Sequence, residues 1–207
     1  MQNCPNRHFA IILAAGLSSR MGTCKTALPW HNNRSLLRYQ AEQFLLANIT
    51  PIVVLGSHNA HRRSDCPLGS QVVINANSHL GKTTSILAGL DCLPLNFSSL
   101  IISAVDQPRS TDVYKILLQA YEQNNTSITA LCCNGKLGHP LLFSNRLLSE
   151  LKQIDDSTLG LREVVKNRQL EINKVNFSSL EIFIDLNYIN TYRSELEKAI
   201  FQSIGFK

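Results

Sequence analysis

The sequence predicts an α/β chain, with a mostly parallel sheet covered on both faces by helices. Three observations carry this. Short apolar runs at His8–Ala14, Pro51–Leu55 and Ser99–Val105 each stop at glycine or an Asp-Gln-Pro turn. Stretches of helical spacing alternate with them. The runs are largely apolar rather than apolar at every second residue, as expected of strands buried on both faces.

The elements follow in order. His8–Ala14 (HFAIILA) is a strand that meets Gly16. Ser35–Ala47 places Leu36, Leu37, Phe44 and Leu45 on one helical side. Pro51–Leu55 (PIVVL) and Gln71–Ile74 (QVVI) are strands, with the loop-like stretch His58–Gly69 between them. Thr83–Leu93 is a helix that Pro94 ends. Ser99–Val105 (SLIISAV) is a strand, and Thr111–Glu122 a helix capped by Ser110 or Thr111. Ser127–Cys133 and Leu141–Phe143 read as strands, Ser144–Gln153 and Leu159–Lys166 as helices, and Glu181–Leu186 (EIFIDL) as a last short strand. Ile189, Tyr192, Leu196, Ile200 and Ile204 form an apolar stripe at helical spacing. In such sheets ligands bind beyond the carboxyl ends of the strands. Chemistry is therefore expected after Ala14, Ile74, Val105 and Leu186.

Composition narrows the class. With 207 residues and 44% hydrophobic content, one domain over residues 1–207 is expected, able to bury a core without staples. No apolar run approaches the ~18 residues of a membrane span. The first seven residues lack the basic-then-apolar order of a signal peptide, so a cytoplasmic protein with no membrane partner is expected. The net charge of +5 is mild and dispersed, with Arg62-Arg63 its densest point. Nucleic-acid binders gather such charge in blocks, so none is expected as a partner. The six cysteines (Cys4, Cys24, Cys66, Cys92, Cys132, Cys133) form no Cys-x-x-Cys, which argues for reduced thiols and against zinc.

The residues after the first strand are the most informative. In Leu13-Ala14-Ala15-Gly16-Leu17-Ser18-Ser19-Arg20-Met21-Gly22-Thr23-Cys24-Lys25, small residues allow close backbone approach to a ligand. Gly16 and Gly22 let several N–H groups aim at one point, forming an anion nest. Arg20 adds a fork and Lys25 a compact charge. The set suits a triphosphate; a surface turn with two solvated charges is the other physical reading.

Leu-Ala-Ala-Gly-x-Ser-x-Arg-Met-Gly-x-x-Lys resembles the signature of nucleotidyltransferases with a MobA-like fold. The resemblance is greatest to molybdenum cofactor cytidylyltransferases and their guanylyl-transferring relatives. Further blocks resemble the family's in the same order: Asn75 with Leu80-Gly81-Lys82-Thr83-Thr84-Ser85-Ile86-Leu87-Ala88-Gly89-Leu90, Asp106-Gln107-Pro108, Gly138-His139-Pro140-Leu141-Leu142-Phe143, Leu159-Gly160-Leu161-Arg162-Glu163-Val164-Val165 and Ile184-Asp185-Leu186-Asn187. The likeness spans about residues 8–195. It implies a Rossmann-like three-layer α/β/α nucleotidyltransferase fold and Mg²⁺-dependent transfer of a nucleoside monophosphate, with release of pyrophosphate. It further implies CTP in preference to GTP, a phosphorylated acceptor of the molybdopterin type, and a molybdoenzyme as possible recipient of the product.

The resemblance also implies roles. Leu13, Ala14, Ala15, Gly16, Ser18, Ser19, Arg20, Lys25 and Gly81 would bind the nucleotide, with Thr84 and Ser85 at the base. Lys25 would sit at the α-phosphate, Arg20 at the outer phosphates, and Asp106 would hold the metal. The second metal ligand would be Asn187 or Asp185. Gln107, Gly138 and His139 would face the acceptor. Ala15 carries the preference for CTP, because guanylyl-transferring members tend to have a second glycine there.

The chain departs from the family pattern at Tyr188-Ile189-Asn190-Thr191 (for Thr-Pro-Glu-Asp), Val105 (for Gly), Leu87 (for Arg) and Lys82 (for Met). Two alternatives follow: a non-catalytic nucleotide or pterin-cofactor delivery protein, and a transferase acting on sugar or polyol phosphates. Ala76–Thr83 also imitates a P-loop, with Ala76 in place of the first glycine.

Overall fold

Among the described residues, seven strands form one sheet, in the order β3-β2-β1-β4-β6-β5-β7. The computed structural model describes residues 8–18 and 21–204. The strands are β1 (His8–Leu13), β2 (Ile49–Gly56), β3 (Gln71–Asn75), β4 (Ser99–Ala104), β5 (Ile128–Cys133), β6 (Lys136–Ser144) and β7 (Ile172–Asn176). Only β6 runs against its neighbours; it pairs antiparallel with both β4 and β5. The others run parallel, β1 to β2 and β4, β2 to β3, and β5 to β7. This is the expected mostly parallel α/β sheet.

The apolar runs work because side chains alternate across the sheet. Along β1 and just beyond, Ala10, Ile12 and Ala14 enter one core and Phe9, Ile11, Leu13 and Ala15 the other. Helices α1 (Leu36–Leu46) and α3 (Thr111–Asn124) close the first face through Leu37, Ala41, Phe44, Val113, Tyr114 and Leu117. The Phe44 and Tyr114 rings stack at 3.9 Å between centroids. Helices α2 (Lys82–Leu90), α4 (Leu148–Leu151) and α5 (Leu161–Asn167) close the second through Ile86, Leu90, Leu151 and Val164. Burying each such side chain contributes roughly 1.5–3 kcal/mol, enough to outweigh weak local propensity.

A third, smaller core binds the tail to the front of the sheet. Helix α6 (Ile189–Ile204) packs Tyr192, Leu196 and Ala199 against Met21, Leu28, Trp30, Leu36 and Leu186. The Tyr192 hydroxyl donates to the Pro29 carbonyl at 2.5 Å. The tail stripe is thus helical, but its packed side is offset from the expected one. Ile189 and Ile200 stay 38% and 47% exposed, while Ala199 packs.

Several elements differ from expectation. Glu181–Leu186 is not a strand. A 3-10 turn covers Leu180–Phe183, and the Ile182 and Ile184 carbonyls accept hydrogen bonds from the Arg109 guanidinium. The last strand is instead β7 (INKVN), a half-exposed edge whose polar residues hide it from a search for apolar runs. The stretch at Leu141–Phe143 belongs to a longer strand, Lys136–Ser144. The Ser144–Gln153 helix shrinks to a 3-10 turn at Asn145–Leu147 followed by α4. The loop-like stretch after β2 contains 3-10 structure over Ser57–Asp65.

Candidate functional site

The chain runs from β1 outward through β2 to β3, then returns to place β4 on the other side of β1. That reversal opens a crevice at the carboxyl ends of β1 and β4. It holds a cleft of about 610 Å³, lined by Leu13–Ser18, Lys25, Thr26, Ser78, His79, Gly81, Lys82, Ser85, Ala104–Gln107, Asp185 and Asn187. A second recess of about 410 Å³ adjoins it and shares Leu13, Lys82, Ala104, Gln107 and Asp185.

The first loop supplies the floor. A Cβ built on Gly16 meets nothing within 4 Å, so this backbone faces open cleft. Ser18 turns the chain with a φ of 55°, and its hydroxyl accepts from the Lys25 backbone N–H at 3.1 Å. That bond folds the loop back so that Lys25, first residue of a 3-10 turn, points inward. Ser19 and Arg20 lie outside the described residues.

Lys25 is the centre of the arrangement. Its Nζ donates to Asp106 Oδ2 at 2.6 Å and to Asn187 Oδ1 at 2.8 Å. The Lys25 and Asp106 side chains are only 12% and 17% exposed, so the ion pair is shielded from water. Three segments far apart in sequence thus meet at one amine. The backbone joins them too, as Leu186 N–H donates to the Asp106 carbonyl at 2.8 Å. Asp185 faces the same cleft. Burial raises its carboxyl above the ordinary range and nearby Asp106 adds to this, while Lys25 and Arg109 pull the other way.

Two buried polar residues hold this geometry, and neither stood out in the sequence. Gln40 of α1, fully buried, places its amide nitrogen 3.0 Å from Ser103 Oγ, 3.0 Å from the Ala104 carbonyl and 3.1 Å from the Gln107 carbonyl. It supports the Asp106 turn from below. Arg109, 1% exposed, donates to the carbonyls of Pro108, His139, Ile182 and Ile184. One guanidinium thus ties together the segments that carry Asp106, His139 and Asp185. Gln40 lies on the buried side of α1, whereas Arg109 sits in the loop before α3, where the sequence carries no such pattern.

The helix α2 side is built differently. Asn75 donates to Thr84 Oγ1 at 2.9 Å and Ser85 Oγ at 3.0 Å and accepts from Asn77 N–H, which shapes the loop. Ser85 lines the cleft. Thr84 is not among the lining residues; its hydroxyl is spent on the Asn77 and Gly81 carbonyls. The Asp156 carboxylate contacts Thr83 N–H at 3.4 Å and Thr83 Oγ1 at 2.5 Å. It therefore caps α2 where a P-loop would hold phosphate, which removes the physical basis for that alternative. Gly81 (φ 129°) permits this, since a Cβ there would lie 1.9 Å from Asp156 Oδ2.

The second recess gathers Gln107, Gly138 and His139 with Lys82, Arg162 and Asp185. Its remaining walls are mostly apolar (Leu13, Ile102, Ala104, Leu137, Leu141, Leu161 and Val165), with Ser103 the polar exception. His139 keeps an exposed edge, yet packing around its ring lowers its pKa, and Arg109, Lys82 and Arg162 lower it further. That combination marks a recess of positive potential.

The donors at the centre are a carboxylate, an amide carbonyl and a second carboxylate, all oxygen. They suit a hard divalent cation. The Lys25 ammonium already shows that a cation is held between Asp106 and Asn187. Among the described residues, no three His, Cys, Asp or Glu side chains form a closed metal cluster. Such an ion would complete its shell with water and substrate phosphates. Nor is any helix among those residues long and apolar enough to cross a membrane.

Comparisons with known proteins agree with the architecture. Residues 10–173 match the model of the MobA-like NTP transferase domain. A probable molybdenum cofactor guanylyltransferase of Rhodopirellula baltica is 28% identical over 123 residues; the chain spans 58% of that relative's length, and the match covers 58% of the chain. The manganese complex of Rv0371c from Mycobacterium tuberculosis superposes with a TM-score of 0.73, at 20% identity, covering 93% of this chain and 98% of that one. The molybdopterin-guanine dinucleotide biosynthesis protein A of Archaeoglobus fulgidus gives 0.65, at 16% identity, covering 92% and 98%. At these identities the superpositions speak for the fold. With a family match over most of its length and the signature loop, Asp106 turn and Asn187 segment meeting in one cleft, the chain belongs to the MobA-like NTP transferase family.

Proposed function

We propose that this chain is a divalent-metal-dependent nucleotidyltransferase that moves CMP from CTP onto a phosphorylated acceptor of the molybdopterin type and releases pyrophosphate. The observation that carries it is the convergence of Lys25, Asp106 and Asn187 at the floor of a cleft formed by the glycine loop. In the reaction a phosphate oxygen of the acceptor forms a bond to the α-phosphorus. The bond to the bridging oxygen breaks, and pyrophosphate leaves with its electron pair. The catalytic work is positioning and charge neutralisation.

The backbone of Ala15–Ser18 cradles the triphosphate, and Lys25 offsets negative charge that builds at the α-phosphate. Arg20, which lies outside the described residues, would by the resemblance bind the outer phosphates. Asp106 with Asn187, and Asp185 beside them, would hold Mg²⁺, which supplies Lewis-acid neutralisation of the phosphates when bound. The manganese complex of the M. tuberculosis protein supports a divalent ion in this fold. The recess next door takes the acceptor. Its apolar walls suit a ring system better than a polyol, and Lys82 and Arg162 suit its phosphate.

Ala15 favours CTP as donor by the resemblance, since guanylyl-transferring members tend to have a second glycine there, and it lies among the residues that line the cleft. The R. baltica relative is described as a guanylyltransferase, so the donor is the part to test first. A thermal-shift panel of CTP, GTP, UTP and ATP with Mg²⁺ should show the largest rise for CTP, because a ligand that binds only the folded state stabilises it. A larger rise with GTP overturns the donor assignment. Incubation with Mg²⁺, labelled CTP and a molybdopterin acceptor should release pyrophosphate, and Asp106→Ala should abolish it. Full activity in Asp106→Ala overturns the metal assignment.

A further inference from the structure

We infer that in the nucleotide-free protein the Lys25 ammonium holds the place of the divalent cation and yields it when triphosphate arrives. The inference rests on the metal-dependent transfer proposed above and adds the order in which its cations take up their places. Nζ lies 2.6 Å from Asp106 Oδ2 and 2.8 Å from Asn187 Oδ1, so both oxygens face one point, and a cation stands there. A divalent ion on the same oxygens would sit within a few ångströms of Nζ, since its bonds to oxygen are about 2.0–2.6 Å long. Two cations cannot share that point in a shielded site with so few carboxylates. The ammonium is tightly held, with its stem buried and its backbone N–H tied to Ser18.

The arriving triphosphate changes the balance. It offers Lys25 a new set of oxygens across the cleft, because the loop that carries Lys25 also forms the cleft floor. Once Lys25 turns to the phosphates, Asp106 and Asn187 are left with a vacant cation position and Asp185 close by. The divalent ion then finds protein oxygens and phosphate oxygens together. Binding of nucleotide and metal is therefore coupled, and linkage requires the coupling to be reciprocal. The neutral amide of Asn187 fits this role. It accepts equally well from an ammonium or a metal and leaves the site with less negative charge than a third carboxylate would.

The test is Mn²⁺ binding without nucleotide, read as loss of the free-ion signal in electron paramagnetic resonance. Lys25→Met and Lys25→Gln, both checked for folding by circular dichroism, should bind Mn²⁺ roughly ten-fold more tightly than the wild type, within the usual span of coupling factors. Equal or weaker binding by the folded variants overturns the inference. Adding Asp106→Asn to either variant should remove the gain. If Asp106→Asn abolishes Mn²⁺ binding but the Lys25 variants are no tighter than wild type, the exchange falls and the metal site stands. If Asp106→Asn leaves the affinity of the Lys25 variants unchanged, the metal is not at Asp106, and both the exchange and the metal part of the proposed function fall.

Discussion

Arg109 offers the most direct test of how the site is held together. The side chain is 1% exposed and donates to four carbonyls, at 2.9 Å (His139), 2.8 Å (Pro108), 2.9 Å (Ile184) and 3.1 Å (Ile182). Hydrogen bonds from a charged donor contribute roughly 1.5–3 kcal/mol each, which the cost of burying the guanidinium offsets by several kcal/mol. Arg109→Met removes both terms but leaves four carbonyls without their donor. Each buried orphan costs about 1–3 kcal/mol before water and relaxation recover part of it. The expected net loss is about 3–5 kcal/mol, the range for breaking a buried charged network. For a chain of this size that lowers the melting temperature by roughly 6–20 °C. Arg109→Lys should fall between, since one ammonium cannot fork to carbonyls on three segments. The assay is thermal unfolding followed by circular dichroism. A shift of Arg109→Met below roughly 3 °C would show that the carbonyls find other partners and would refute the clamp.

Three further outcomes follow from single positions. Gly16→Val should leave the melting temperature nearly unchanged, because a Cβ there meets nothing within 4 Å, but should erase the rise caused by nucleotide; an intact ligand-induced shift refutes the cradle. Gly89→Ala places a methyl 2.8 Å from Ile11 Cγ1 and Cγ2, and should cost about 1–3 kcal/mol in urea unfolding by overpacking. His8, 7% exposed between Ser99 and Glu122, has its pKa lowered by burial, which outweighs the raising effect of Glu122. The unfolded chain therefore takes up a proton first as pH falls through about 6.5. Stability should be full above that value and decline below it, toward the lower folded pKa. His8→Gln should flatten the decline in melting temperature between about pH 7 and 5, with a residual slope from His139, which is also lowered. An unchanged slope would count against His8 as its source.

The parts legible in sequence share a physical cause. Strands β1, β2 and β4 are buried on both faces, so nearly every position is apolar, with His8, Ser99 and Ser103 as buried polar exceptions, and α1 and α3 bury one stripe each. Strand β7 escaped notice because it is an edge strand with a half-exposed, polar sequence. Glu181–Leu186 misled in the opposite way. Its alternation imitates a strand, yet its backbone carbonyls go to Arg109 instead of a neighbouring strand. The sequence points to Ser110 or Thr111 as the cap of α3, but the Ser110 side chain makes no capping bond. Gln43 of α1 accepts from Thr111 N–H, and Glu181 accepts from Ser110 N–H, so tertiary partners satisfy the orphan donors.

At the site, the glycine loop with Lys25, the Asp-Gln-Pro turn and the Asp185–Asn187 block were legible through their resemblance, in order, to the blocks of the MobA-like family, whereas residue chemistry by itself left the glycine loop open between a phosphate cradle and a solvated turn. Their meeting at one amine depended on the third core, which draws the tail across to Met21 and Trp30 and so brings Asn187 to Lys25. Gln40 and Arg109, which hold the turns in place, are recognisable only once folded. A glutamine or arginine in sequence is ordinarily a solvated residue, and only burial turns its hydrogen-bonding capacity into a constraint.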